Sequence, residues 1–423
     1  MAPVLGCIAD DFTGATDLAN MLVRGGLRTI QLLGVPKSDF HIPDVDAIVI
    51  ALKSRTIEPE IAISQSLQSL EWLQKSGTQQ FFFKYCSTFD STNKGNIGPV
   101  TEALMRALDV DFTIACPAFP ETGRTIFKGH LFVGDALLSD THMNSHPLTP
   151  MTESNLVSVL NKQTTLNVGL VQYDKIEAGL ETLRNSFDTL KKAGVSIAIT
   201  DSITDDHLYT LGEALADFKL ITGGSGIAIG LPKNYQNANL VRLSKEASKL
   251  KPVTGLSLVL AGSCSDATLR QVAKFSKNNP SFKLDPVELD LRPAIIEEAI
   301  EWANLRMGQG PVLIYASAAS NEVKSIQEKI GSEKAGSLIE NAMGSIAKAL
   351  VDSGVRRLVV AGGETAGAVV GALGISSLQI GEQIDPGVPG TITVEDPKIA
   401  LALKSGNFGE VDFFQKALDT MPQ

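Results

Sequence analysis

The sequence predicts an α/β protein of two domains, each built on a mainly parallel sheet flanked by helices. Apolar runs of strand length alternate with helical patterns along almost the whole chain, and that alternation marks parallel sheets whose crossovers are helices. At 423 residues the chain is too long for one ordinary core, since domains usually hold roughly 100–200 residues each. A third observation locates the division. Residues 234–254 lose strand periodicity and gain Asn, Lys and Ser, as exposed connections do. The expected domains are therefore residues 1–233 and 255–423, with 234–254 as the linker.

In the first half the strands are expected at Leu5–Ala9, Thr29–Leu33, Ala47–Ala51, Phe81–Lys84, Phe112–Ala115, Asn167–Val171 and Ser196–Thr200. In the second half they are expected at Leu256–Ala261, Pro311–Ala316, Arg357–Ala361, Ser377–Gly381, Gly390–Val394 and Ile399–Leu403. Ligands of open α/β sheets bind beyond the carboxyl ends of the strands, where loops lead into helix N-termini. Polar or glycine-rich residues directly after a strand are thus the ones to read for chemistry.

Composition narrows the function classes. Hydrophobic residues make up 43% and charged residues 20%, so the chain can bury real cores. A net charge of −10 with no Lys/Arg run argues against a nucleic-acid partner. The start of the chain lacks a basic leader and no apolar stretch approaches membrane-spanning length, which leads us to expect a cytoplasmic protein with no membrane partner. Cys7, Cys86, Cys116 and Cys264 are scattered without a C-x-x-C pair, each within or just after an apolar run, and read as buried free thiols. His130, His142 and His146 lack an H-E-x-x-H pattern or a cysteine partner, so no protein-bound metal is expected. Nothing in the composition speaks to assembly, which leaves room for a homo-oligomer.

The run Leu5–Ala9 leads straight into Asp10-Asp11-Phe12-Thr13-Gly14, followed by a helical pattern that Gly25-Gly26 ends. Two adjacent carboxylates at a strand end are costly to bury without hydroxyl, amide or cation partners. A capping role explains one of them, not the pair. Their pattern suits a sugar's hydroxyls, including an acceptor hydroxyl that needs a carboxylate within reach. An acidic protein that handles an anion must also concentrate cations locally. Arg55 follows the third expected strand, Lys84 ends the otherwise apolar Phe81–Lys84, and Lys94-Gly95-Asn96 opens a helix whose N–H groups could hold a carboxylate.

Three strand ends in the second half suit phosphate. Gly262-Ser263-Cys264-Ser265-Asp266, Gly362-Gly363-Glu364-Thr365 and Lys404-Ser405-Gly406-Asn407-Phe408-Gly409 each join a strand to a helix through small residues that expose backbone N–H groups. A single such turn is common punctuation; three in one domain are more persuasive. The P-loop pattern G-x-x-x-x-G-K-[ST] is absent, and Gly223-Gly224-Ser225-Gly226 does not match the dinucleotide spacing G-x-G-x-x-G.

The strings Ile8-Ala9-Asp10-Asp11-Phe12-Thr13-Gly14-Ala15, Phe83-Lys84-Tyr85-Cys86-Ser87-Thr88-Phe89-Asp90-Ser91-Thr92, Gly95-Asn96-Ile97-Gly98 and Ala361-Gly362-Gly363-Glu364-Thr365, in that order, resemble the four-carbon acid sugar kinase family. The likeness covers nearly the whole length. It implies a sugar-binding N-terminal domain, a nucleotide-binding C-terminal domain of unusual fold, and phosphorylation of a small anionic sugar acid by ATP with Mg²⁺. Carried over by motif, ATP would meet Ser263, Gly362, Gly363, Glu364, Thr365 and Gly406. The substrate would meet Arg55, Lys84, Lys94 and Asn96, with Asp10 or Asp11 orienting or deprotonating the acceptor hydroxyl. Whether the acid is a keto or a hydroxy form is not legible from spacing.

Overall fold

The apolar run Leu5–Ala9 is strand β1, fully buried along its length, because helices cover both faces of the parallel sheet it joins. The computed structural model describes residues 2–146 and 148–421, and its chain divides into two units between Ser248 and Lys249.

In the first unit β1 is followed by β2 (Thr29–Leu33), β3 (Ala47–Ala51), β4 (Gln80–Lys84), β5 (Thr113–Cys116), β6 (Arg124–Phe127), β7 (His130–Val133), β8 (Ala136–Leu137), β9 (Val168–Val171), β10 (Ile197–Thr200) and β11 (Leu220–Gly223). The main sheet is parallel, in the order β2-β3-β1-β4-β11-β5-β10-β9. Its register aligns the carboxyl ends at Ala51, Ala9, Lys84 and Gly223. The chain leaves β1 toward β2 on one side and leaves β4 toward β5 on the other. The switch point of the sheet, where ligands of such folds sit, is therefore between β1 and β4.

Local packing holds that end of the sheet in place. Tyr85, directly after β4, is fully buried, stacks edge-on against Phe83 and Phe89 at 5.6 and 5.4 Å, and shares a 2.9 Å hydrogen bond with the Thr222 hydroxyl. Burying rings of this size contributes roughly 1.5–3 kcal/mol each. The helix Phe12–Arg24 starts where the Asp11 side chain accepts from the Gly14 N–H, buries Leu18, Leu22 and Val23, and ends at Gly25.

The second unit contains β12 (Leu256–Ala261), β13 (Ser281–Lys283), β14 (Val312–Tyr315), β15 (Val355–Ala361), β16 (Ser377–Asp385), β17 (Val388–Thr393) and β18 (Ala400–Lys404). Their order is β13-β14-β12-β15-β18-β17-β16, parallel except for β17, which runs antiparallel to both its neighbours. Val259, Val359, Phe275, Phe413 and Phe414 form part of one buried cluster beneath it. Here the chain leaves β12 toward the β13 edge and β15 toward β16, so the switch point lies between β12 and β15.

The expected α/β architecture is what the chain adopts, with additions. The strand β11, central in its sheet, β13 and the small antiparallel sheet β6-β7-β8 were not expected from the sequence, and several ends move by one or more residues. Among the described residues no helix is long and apolar enough to cross a membrane.

The small sheet is tied to β10 by one carboxylate. Asp201, with no exposed surface, accepts from the backbone N–H groups of Lys128, Gly129 and Tyr173 at 2.8, 2.8 and 3.0 Å. Replacing it strands three donors, so Asp201→Ala should lower stability by roughly 3 kcal/mol. Urea unfolding measures this, and a loss within error of zero would refute the anchoring role.

Candidate functional site

The switch point of the first unit carries a charge cluster centred on Arg55. Asp10 and Asp11 leave the end of β1, and the segment after β3 brings Arg55 to them. The Arg55 Nε and Nη2 donate to Asp10 Oδ2 and Oδ1, both at 2.9 Å, and Nη2 donates to Asp11 Oδ1 at 2.7 Å. Nη1 lies 3.5 Å from Asp90 Oδ2. The backbone locks the same corner, with Ser54 N donating to Asp10 O and Asp10 N to Lys84 O.

The two aspartates are not equivalent. The Asp10 side chain is 6% exposed and both its oxygens face Arg55, whereas Asp11 is 29% exposed. Both the Arg55 and the Gly14 bonds of Asp11 fall on Oδ1, which leaves Oδ2 the freer acceptor. Burial pushes the Asp10 carboxyl up, against the pull of Arg55. At Asp11 burial acts the same way, but Arg55, Lys84 and the Gly14 N–H outweigh it and hold the carboxyl below its ordinary value. Environments that push two carboxyls apart separate an anionic acceptor from its neighbour.

Lys84, the last residue of β4, is 3% exposed and donates to Tyr85 O at 2.6 Å. Its charge acts on Asp10, Asp11 and Asp17. A Cβ at position 14 would stand 2.7 Å from Lys84 Nζ and 2.3 Å from Asp11 Oδ1, so the ammonium and the carboxylate close over a glycine. Asn96 turns its amide inward, with Nδ2 donating to Ser54 O and Ile57 O at 2.8 Å each, while its buried Oδ1 has no partner. Lys94 is exposed on the preceding turn.

Two sequence expectations meet a different arrangement. The donors of Arg55, read as a clamp for a substrate carboxylate, are directed to the protein's own acids. At the helix Ile97–Leu108, read as an open anion site, Gly98 N–H already donates to Gln163 Oε1 at 2.9 Å, and Gln163 Nε2 bonds Ser91 Oγ and Thr92 O. In both cases the occupying partner lies tens of residues away in sequence. Asp90 was not singled out as a functional residue, although it follows a strand end in the motif that contains Lys84.

In the second unit the three turns converge, because β12, β15 and β18 are neighbours whose last residues pair as Ala261↔Ala361 and Ala361↔Lys404. Gly362, at φ +127°, starts the helix Gly363–Ala372, and a Cβ there would stand 2.9 Å from Thr365 Oγ1 and 3.1 Å from Ser263 N. A Cβ at Gly406 would meet Ser263 Oγ at 2.4 Å. Thr365 is buried, Ser263 half-buried, and Gly363 and Glu364 are exposed, with open space beside Gly363. This concave arrangement of small residues, hydroxyls and the N-termini of the helices Asp266–Phe275 and Gly363–Ala372 suits a polyphosphate.

The Gly406 turn is held from below. Its carbonyl accepts from Ser265 Oγ at 2.6 Å, Thr268 Oγ1 at 2.9 Å and Lys404 Nζ at 2.9 Å. Gln271 Nε2 donates to the carbonyls of Phe408, Gly409 and Glu410. Ser265, Thr268 and Lys404 were not singled out from the sequence as site residues. Lys404 carried the same signal as Lys84, a lysine ending an apolar run.

Removing Arg55 would leave Asp10 buried without its cation, so Arg55→Met should cost about 3 kcal/mol at neutral pH. An acid whose pKa is higher folded than unfolded binds more protons folded, and stability then falls as pH rises. Losing Arg55 raises Asp10 further and weakens the depression of Asp11, so the deficit should be smaller at pH 5 than at pH 7.5. Urea unfolding at both values checks this, and a pH-independent deficit counts against it.

Two family models cover the chain, a sugar-binding N-terminal domain over residues 5–231 and a nucleotide-binding C-terminal domain over residues 258–414. The chain is 57% identical to the 3-oxo-tetronate kinase of Pseudomonas fluorescens, spanning 98% of this chain and 96% of that one. It is 56% identical to the 3-oxo-tetronate kinase of Burkholderia multivorans, over 98% and 97%. A solved structure from Salmonella typhimurium LT2 is 40% identical over 98% of both chains with a TM-score of 0.91. One from Haemophilus influenzae is 43% identical over 98% of this chain and 100% of that one, with a TM-score of 0.88.

Proposed function

We propose that this chain, which belongs to the four-carbon acid sugar kinase family, transfers the γ-phosphoryl group of ATP to the terminal 4-hydroxyl of a 3-oxo-tetronate. The observation that carries the reading is full-length identity of 57% to a 3-oxo-tetronate kinase, in a chain that keeps chemistry at the switch point of each half.

Asp11 is the acceptor for the hydroxyl proton. It is the more accessible of the two aspartates and is held below the ordinary carboxylate range, so it is ionised at neutral pH. Asp10 is a positioning residue that acts through Arg55, whose planar fork fixes both carboxylates at once. Lys84 and Lys94 supply positive charge toward the substrate carboxylate, while Asn96 fixes the loop that carries Arg55. ATP phosphates rest on Ser263, Gly362, Gly363, Thr365 and Gly406, with Glu364 at the mouth of the same turn.

Mg²⁺, when bound, neutralises charge on the transferring phosphoryl group. Among the described residues no three His, Cys, Asp or Glu side chains converge as a metal cage. That donor set fits an ion held chiefly by nucleotide phosphates and water, as Mg²⁺ commonly is, with Glu364 and Asp266 the carboxylates on these turns.

Coupled ADP release over 3-oxo-tetronates, D-threonate and D-erythronate, with the product phosphate placed by NMR, tests the reaction. The 3-oxo acid should be turned over with the highest kcat/KM and carry phosphate on C4; preference for a hydroxy acid would overturn the substrate. Asp11→Asn should lower kcat by about 10²–10⁴-fold, with little change in the KM for ATP. Near-normal turnover would remove Asp11 from the chemistry.

A further inference from the structure

Lys404 is the buried cation that the reaction as described does not use. It ends β18 in register with Ala361, is 1% exposed, and donates to Thr268 Oγ1 at 3.0 Å, Ser405 O at 3.1 Å and Gly406 O at 2.9 Å. All three acceptors are neutral. The helix Asp266–Phe275 carries Asp266, Arg270 and Lys274, the helix Gly363–Ala372 carries Glu364, and β15 carries Arg356 and Arg357 near its far end. Its own turn runs on to Glu410, and β17 carries no charged residue. None of these groups forms an ion pair with Lys404. A buried ammonium bonded only to neutral groups lacks the counter-charge that normally accompanies burial. The turn it holds, Ser405-Gly406, is one of the three that face the proposed polyphosphate.

We propose that Lys404 is a positioning residue and the buried counter-charge of the nucleotide site: its ammonium holds the Gly406 turn, and bound ATP supplies the negative charge it lacks. The inference rests on the kinase reading above and adds a residue and a linkage to it. With the turn's carbonyl occupied by Lys404, Ser265 and Thr268, no lone pair of that group is left to repel a phosphate. Occupancy of the site and the charge on Lys404 then favour each other.

The linkage has a definite sign. Burial lowers the Lys404 pKa to about 8 in the free protein. A bound polyanion stabilises the charged form and raises the value again, so ATP binding takes up a proton above pH 8 and weakens as pH rises through that range. The weakening is at most about tenfold per pH unit, the limit for one proton.

The test is calorimetric titration of the full chain with ATP from pH 7 to 9.5, in buffers of different ionisation enthalpy. The wild-type residue should give net proton uptake approaching one per ATP near pH 9, with affinity falling accordingly. Lys404→Arg, always charged, should bind ATP with no uptake and a flat pH profile, and Lys404→Met should show a flat profile at lower affinity. No uptake in the wild type, or the same uptake in Lys404→Met or Lys404→Arg, would overturn the proposal while leaving ATP binding intact. If the folded chain bound no ATP at any pH, the kinase reading itself would fall, and this inference with it.

Discussion

The bidentate pair between Arg55 and Asp10 is the interaction on which the geometry at the first unit's switch point depends. Two carboxylates adjacent in sequence, at the end of a buried strand, repel each other by about 4 kcal/mol at 4 Å in a surface-like dielectric. One planar guanidinium that reaches both removes the conflict and fixes their geometry. It also joins the end of β1 to the segment after β3, a corner that the Asn96 amide closes from the other side. Because Asp10 is consumed by the pair, Asp11 is left as the aspartate with an oxygen to spare. Arg55 therefore reads better as the organiser of the acids than as a clamp for an external carboxylate.

The second unit meets the opposite requirement with little charge. Holding a polyphosphate, as proposed, calls for donors and close backbone approach, and its three turns offer these with glycine, serine and threonine; a Cβ at Gly262, Gly362 or Gly406 would collide with a neighbouring hydroxyl. The cost of such turns is looseness, which the structure offsets from beneath. Gln271 collects three successive carbonyls with one amide nitrogen, and Ser265, Thr268 and Lys404 collect a fourth carbonyl between them. Those bonds hold the turn's acceptors on its protein side, the arrangement an anion on the other side requires.

Much of the fold was legible because buried parallel strands are continuous apolar runs; β1, β2, β3 and β12 fall where their sequences place them. What escaped has physical reasons. The strand β11 has only four residues, Leu220–Gly223, directly before a glycine-rich stretch that reads as a loop. The small sheet β6-β7-β8 mixes Arg, Thr and His with apolar residues and is half exposed, so it shows neither a buried run nor clean alternation. At the site, the strand-end position of a charge was legible but its partner was not. Nothing local announces that Arg55 meets residues 45 and 44 positions earlier, or that Gln163 fills the helix N-terminus at Gly98 from 65 positions later.

A comparison of Lys84 and Lys404 shows how far local sequence can go. Each ends an apolar strand, Lys84 on β4 at its switch point and Lys404 on β18, one strand away from its own; each is almost completely buried, and each bends its ammonium back onto the carbonyl of the next residue. From sequence the two are the same feature. Their surroundings differ: Lys84 sits in the field of Asp10, Asp11 and Asp17, while Lys404 has only neutral acceptors. A lysine among acids helps hold Asp11 below its ordinary value, against the burial that pushes Asp10 and Asp17 up. A lysine without acids holds its charge less firmly, and on the proposal above finds its counter-charge in the bound nucleotide. The same residue type at a strand end thus stands in two different fields, and what separates the roles proposed for the two lysines is the count of carboxylates that the tertiary fold brings to each strand end.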